Sequence, residues 1–177
     1  MIRGLLRGNK VYVKFGESEE IDKILKRFGE KRNKYIIFQP LEALYLVDKG
    51  KMEVFNKEGK LIIFDNLLDY FSKYDRSIFP KFLIYRDLVD RGYKVTKGYS
   101  DHIDLLVYEK GKYLDKPAKI RVIGIDEGKP IKISRLIDEV KRSLLSKKDL
   151  KIAVIERRGE IVYYSLSLFK GENIAED

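Results

Sequence analysis

The chain has 177 residues, 44% hydrophobic and 37% charged, and its 37 Lys and Arg against 28 Asp and Glu give a formal charge of +9. That is too apolar for a disordered chain, and the length suits one ordinary domain or two small ones. Cysteine is absent and His102 is the one histidine, which excludes disulfides, Cys-ligated zinc, thiol catalysis and a di-histidine metal site within a single chain. In chain order, Ile2–Arg7 and Lys10–Phe15 flank Gly8-Asn9 as a hairpin. Ser18 stands at an N-cap, and Ile21, Ile24, Leu25 and Phe28 recur at helical spacing until Gly29. Tyr35–Phe38 is a short apolar strand. Pro40 opens a helix carrying Leu41, Leu44 and Tyr45 that Gly50 closes. Lys51–Asn56 and Lys60–Phe64 form a hairpin around Glu58-Gly59, and a helix from Asp65 to Lys73 buries Leu67, Tyr70 and Phe71.

The polar run Tyr74–Ser77 ahead of Pro80 places a boundary there, giving domains 1–76 and 77–177. Lys81–Arg91 is a helix with Phe82, Tyr85, Leu88 and Val89 as its stripe and Gly92 as its cap. Its outer face carries the pairs Arg86/Asp90 and Asp87/Arg91. Strands follow at Tyr93–Thr96, Ile103–Tyr108 and Lys119–Ile125. Ser134 caps a helix with Leu136, Ile137, Val140 and Leu144 on one side. Leu150–Glu156 and Glu160–Phe169 are strands joined by Arg157-Arg158-Gly159. The fold class is therefore α/β (α+β), a small mixed α/β domain followed by a mixed sheet with flanking helices. No apolar run approaches the ~18 residues of a membrane span, and Met1–Gly8 has too short an apolar stretch for a signal peptide, so a cytoplasmic location is expected. The basic excess points either to a polyanion such as nucleic acid or to a lysine-rich solvated surface. High charge without cysteine is also a composition that heat-adapted proteins favour.

Taken alone, few residues announce chemistry. His102 reads as a turn residue or as a general acid or base. Tyr108 ends an apolar strand and reads as an aromatic at the core edge. Lys148 belongs to a solvated Lys147-Lys148 pair.

The surrounding segments add to this. Leu41-Glu42-Ala43-Leu44-Tyr45-Leu46 resembles the N-terminal "EALYL" helix of the archaeal tRNA-splicing endonucleases. Tyr85 to Val95, followed by Lys97-Gly98, is similar to another hallmark of that family. Asp104-Leu105-Leu106-Val107-Tyr108-Glu109-Lys110-Gly111 resembles its "ADFxVYxxG" strand. Lys147-Lys148 before Leu150–Ile155, then Gly159-Glu160-Ile161-Val162-Tyr163-Tyr164, resembles its terminal region. The ordered set covers nearly the whole chain.

The resemblance implies a C-terminal domain like restriction endonucleases and cofactor-free, metal-free cleavage of precursor tRNA at both ends of an intron held in a bulge-helix-bulge. The products would carry a 2′,3′-cyclic phosphate and a 5′-hydroxyl. A Tyr takes the proton of the 2′-hydroxyl, a His protonates the leaving 5′-oxygen, and a Lys stabilises charge on the phosphorane. Tyr108 and Lys148 match two of these roles. The His belongs about ten residues after Tyr108, where this chain has Leu114-Asp115-Lys116-Pro117-Ala118-Lys119. His102 stands six residues before Tyr108, about 20 Å away if that segment is extended.

The missing His makes the chain resemble the structural subunit of the members that pair with a catalytic paralogue as α2β2. The last strand then serves assembly, with Val162, Tyr164, Leu166 and Leu168 on one face and Ile161, Tyr163 and Phe169 on the other; an ordinary core strand has the same pattern. The family's acidic docking loop is here Glu156-Arg157-Arg158-Gly159-Glu160, a departure that leaves its docking mode open. Lys141 and Arg142 lie near the family's base-gripping arginine, where a guanidinium stacks on a bulge base, or else form a solvated helix face. Three alternatives stand beside this reading. One is a self-sufficient catalytic chain with His102 as a relocated acid. Another is a metal-dependent restriction-type nuclease using Asp104 with Glu139-Val140-Lys141. The last is a non-enzymatic RNA-binding assembly module.

Overall fold

The computed structural model describes residues 1–16, 21, 24, 27–98, 104–110, 117–126 and 131–167. Its contacts divide the chain into one unit of Met1–Arg91 and another of Gly92–Asp177. The α+β class expected from the sequence holds in both, each a mixed sheet with helices.

The first unit carries β1 (Ile2–Arg7), β2 (Lys10–Lys14), β3 (Glu30–Arg32), β4 (Tyr35–Phe38), α1 (Pro40–Asp48), β5 (Met52–Phe55), β6 (Leu61–Ile62), α2 (Phe64–Ser72) and α3 (Ile78–Asp90). The sheet order is β3-β4-β2-β1-β5-β6, antiparallel except where β1 runs parallel to β5. Alternation decides which face is core. Ile2, Leu6, Val11, Val13, Met52 and Val54 are buried, while Arg3, Arg7 and Lys14 between them are exposed. α1 packs on β2 and β5 and against α2 and α3, enclosing Leu44, Leu46, Leu67, Phe71 and Phe82. Each such side chain contributes about 1.5–3 kcal/mol by leaving water. Pro40 starts α1, where its missing N–H would have had no helical partner.

Several local expectations shift. Phe64 begins α2 rather than ending a strand. Tyr70 is half-buried, with its hydroxyl donating to the Gly8 carbonyl at 3.0 Å. α3 starts at Ile78, so Pro80 falls in its first turn, a position that tolerates proline. Asp75 accepts from the Ser77 N–H at 3.0 Å and from the buried Lys81 Nζ at 2.6 Å. Arg91 pairs with Asp87 as expected, at 2.8 Å, but Arg86 reaches Asp48 at 3.7 Å. Asp90 instead accepts from Tyr45 at 2.8 Å and Lys49 at 2.9 Å. The Ser18 cap and most of the helix after it lie outside the described residues.

The second unit carries β7 (Lys94–Lys97), β8 (Asp104–Tyr108), β9 (Ile120–Asp126), α4 (Ile133–Leu145), β10 (Asp149–Ile155) and β11 (Ile161–Leu166). Its sheet order is β11-β10-β9-β8-β7, antiparallel except for β9 beside β10. That parallel pair needs a crossover, which α4 supplies. Ile123, Leu150 and Val140 of α4 form a buried cluster joined by Leu166. α4 begins one residue before Ser134, with Lys132 as its extended N-cap and no side-chain cap. Its apolar stripe is also turned partly outward. Val140, Glu139 and Ser143 are buried, whereas Ile133, Ile137 and Leu144 are exposed. No helix among the described residues is long and apolar enough to cross a membrane.

Candidate active site

Sheet register brings Tyr108 and Lys148 to one level. Val107 pairs with Ile120, and Ile120 with Asp149. One step beyond that row stand Tyr108, Lys119 and Lys148, and the Asp149 N–H donates to the Lys119 carbonyl at 2.9 Å. Tyr108 and Lys148 are thus separated by the width of β9, about 10 Å for two strand spacings. They also share a face. Asp104, Leu106 and Tyr108 alternate to the same side, and Asp104 meets Glu139 of α4 through Arg121. Lys148 lines a cavity of about 210 Å³ on the α4 side with Ser143, Leu144, Lys151, Ser165 and Leu166. Its Nζ donates to the Ser146 carbonyl at 3.2 Å. The buried Ser143 hydroxyl, also on this cavity, has no hydrogen-bond partner among the described residues.

The segment entering β9 runs Pro117-Ala118-Lys119, with Ala118 buried and Pro117 and Lys119 exposed. Lys119 pairs with Glu109, which follows Tyr108, and this hydrogen bond holds the Lys119 ammonium pKa above its ordinary value. The level between Tyr108 and Lys148 is therefore filled by a proline, an alanine and a paired lysine. Lys116 and His102 lie outside the described residues.

Beneath this row sits an ion cluster that sequence reading did not assemble. Arg121 grips Asp104 through two parallel bonds, Nε to Oδ1 at 2.9 Å and Nη2 to Oδ2 at 2.8 Å, while Nη1 donates to Glu139 Oε2 at 2.6 Å. All three side chains are nearly inaccessible, at 5%, 0% and 8% exposure for Arg121, Asp104 and Glu139. The hydrogen bonds that Arg121 donates to Asp104 hold the Arg121 pKa above its ordinary value. Gly98 accommodates Asp104, because a Cβ there would collide with its carboxyl. The hint in the sequence was a charged residue inside each of two apolar strands.

Two family models match in tandem, the tRNA intron endonuclease N-terminal domain over residues 2–68 and its catalytic C-terminal domain over residues 78–163. A tRNA-splicing endonuclease of Methanococcus maripaludis is 31% identical over 82% of this chain and 82% of its own. The chain belongs to the tRNA intron endonuclease family. A tRNA-splicing endonuclease of Pyrococcus furiosus is 26% identical over 96% of this chain and 98% of its own. One of Saccharolobus islandicus is 30% identical over 70% and 68%. The family's catalytic-domain match starts at Ile78, so it includes α3, although α3 packs within the first unit.

The remaining candidates lie apart from the Tyr108–Lys148 row. Arg157 and Arg158 are exposed in the turn after β10, at the far end of that strand from Lys148, with Gly159 at φ +81° closing the turn. Tyr164 is exposed and Leu166 half-buried on β11, while Leu168 lies outside the described residues. Lys141 and Arg142 are exposed on α4, Arg142 within 3.8 Å of Glu139. Asp104 and Glu139 do approach one site, as a metal-dependent nuclease would need. A guanidinium stands between them, however, engaging both Asp104 oxygens. The guanidinium already supplies the counter-charge to this pair, taking both Asp104 oxygens and Glu139 Oε2, the place a metal cation would occupy.

Proposed function

We propose that this chain is the structural subunit of an enzyme that excises introns from precursor tRNA at bulge-helix-bulge sites. Cleavage is metal-free and leaves 2′,3′-cyclic phosphate and 5′-hydroxyl ends, and the working assembly is α2β2 with a catalytic paralogue. One observation carries the reading. Tyr108 and Lys148 share a level and a face of the sheet, and the segment entering β9 between them holds Pro117-Ala118-Lys119 instead of an imidazole. In a complete site the tyrosine would take the 2′-hydroxyl proton and the lysine would stabilise the phosphorane. Without a group to protonate the 5′-oxygen, the rate falls by ~10²–10⁴.

The β11 edge and its exposed Tyr164 support a partner at this end of the sheet, since an open strand edge is a pairing surface. Lys141 and Arg142 are proposed as RNA contacts. Glu replacements at both should weaken precursor binding by the assembled enzyme without dissociating it, as read by filter binding beside analytical ultracentrifugation. The role itself is tested by incubating a bulge-helix-bulge substrate in EDTA with the chain alone, the paralogue alone and the mixture. Cleavage restricted to mixtures supports the structural role, whereas robust cleavage by the chain alone contradicts it.

A further inference from the structure

We propose that the solvent face of the first unit's sheet is a stacking platform for a single-stranded stretch of RNA. The inference rests on RNA being the substrate, but it concerns a surface in a different unit from the Tyr108–Lys148 row. Cross-strand register builds this surface. Ile37 pairs with Tyr12, Tyr12 with Leu5, Leu5 with Phe55, and Phe55 with Leu61. These five side chains make one apolar row running across β4, β2, β1, β5 and β6. Four strand spacings give it a length of about 19 Å. The opposite face is already covered by α1, so this row faces outward. Leu61 is 46% exposed, and Tyr35, two residues along β4 from Ile37 and so on the same face, is 39% exposed.

Cations flank the row on both sides. Arg7 and Lys10, themselves a register pair, stand at one side. At the other, Lys14 pairs with Tyr35, Tyr35 with Arg32, and Arg3 with Glu53. Arg3, Arg7, Lys14, Tyr12, Tyr35 and Phe55 line a shallow cavity of about 310 Å³. Among the described residues two carboxylates share the face, and both are matched, Glu53 by Arg3 at 3.5 Å and Glu30 by Arg32 at 2.9 Å. Arg7, Lys10 and Lys14 remain as a surplus of positive charge.

Tyr35 is exposed and Tyr12 half-buried beside these cations, and accessible rings between cations are what a flexible polyanion with flat bases requires. Aromatic faces stack bases whatever their sequence, and Lys and Arg track the phosphates. Tyr12 and Tyr35 meet edge to face, with centroids 6.3 Å apart, so one ring edge supports the other. An acidic protein segment would use the cations, but it does not present a regular succession of flat bases to stack on the rings. Single-stranded RNA uses both.

The test uses the full chain and a fluorescein-labelled 12-nucleotide oligouridylate, with affinity read by anisotropy across a salt series. Tyr12→Ala with Tyr35→Ala should weaken binding by at least about 5-fold per ring, while Tyr12→Phe with Tyr35→Phe retains it. Arg7→Gln, Lys10→Gln and Lys14→Gln together should reduce the slope of log K against log salt by about 2. Unchanged affinity and slope in variants with native circular dichroism would overturn the platform. So would a wild-type chain that ignores the oligonucleotide, or variants that change oligomeric mass and leave RNA binding intact. Cleavage of the bulge-helix-bulge substrate by the mixed subunits separates the two ideas. It persists if only the platform is wrong, and oligonucleotide binding persists if only the splicing role is wrong.

Discussion

Arg121 carries its charge into the core of the second unit between Asp104 and Glu139. Burying such a group is tolerable only because each carboxylate faces it directly. Arg121→Met should therefore destabilise the chain by about 3–5 kcal/mol, since two buried anions lose their counter-charge. Urea denaturation of the full chain reads this, and an unchanged midpoint would refute it. The sequence displayed the three charges but not their meeting, because residues 104, 121 and 139 converge only through sheet register and the α4 crossover. The same holds for Tyr45 and Asp90, which lie 45 residues apart. Burial first, then the Asp90 hydrogen bond, pushes the Tyr45 hydroxyl up to about 12. The folded state thus keeps a proton that the unfolded chain releases near pH 10. This stabilisation is full below pH 10 and is lost as pH rises toward 12. Tyr45→Phe should flatten the alkaline fall in stability over that window, and an identical fall in the variant would contradict the assignment.

At the scale of elements, helices with capping or closing residues were legible. Pro40 to Gly50 gave α1, and the Glu58-Gly59 turn gave the β5–β6 hairpin, with Asn56 Oδ1 accepting from the Glu58 and Lys60 N–H groups. β3 was not legible, since Glu30-Lys31-Arg32 has no apolar alternation and becomes a strand only by pairing with β4. α4 was legible as a helix but not in its orientation. The stripe Leu136, Ile137, Val140 and Leu144 suggests one buried side, yet only Val140 is buried, while Glu139 turns inward to reach Arg121 and Ile137 and Leu144 are exposed. Beside them, β11 leaves Tyr164 exposed at the sheet edge. Truncation after Tyr164 should weaken subunit association without unfolding the first unit. Sedimentation velocity with circular dichroism checks this, and undiminished association would count against the edge as an interface.

At the scale of the molecule, the two units carry different candidate surfaces. The second holds Tyr108 and Lys148 on one level above a buried ion cluster. The first offers a basic, aromatic sheet face. The family was legible from motif order, because short segments such as Glu42-Ala43-Leu44-Tyr45-Leu46 resemble its motifs and follow one another in its order. The level of Tyr108 with Lys148 required the pairing of β8, β9 and β10, which no periodicity encodes. The proposed division of labour turns on the group that should stand between them. The most direct measurement is single-turnover cleavage of a bulge-helix-bulge precursor in EDTA by α2β2 enzyme carrying Tyr108→Phe and Lys148→Ala in this chain only. A structural subunit predicts a rate within a few-fold of wild type, with cyclic-phosphate ends unchanged. A loss of ~10²-fold or more at either junction would show that this chain performs the chemistry itself.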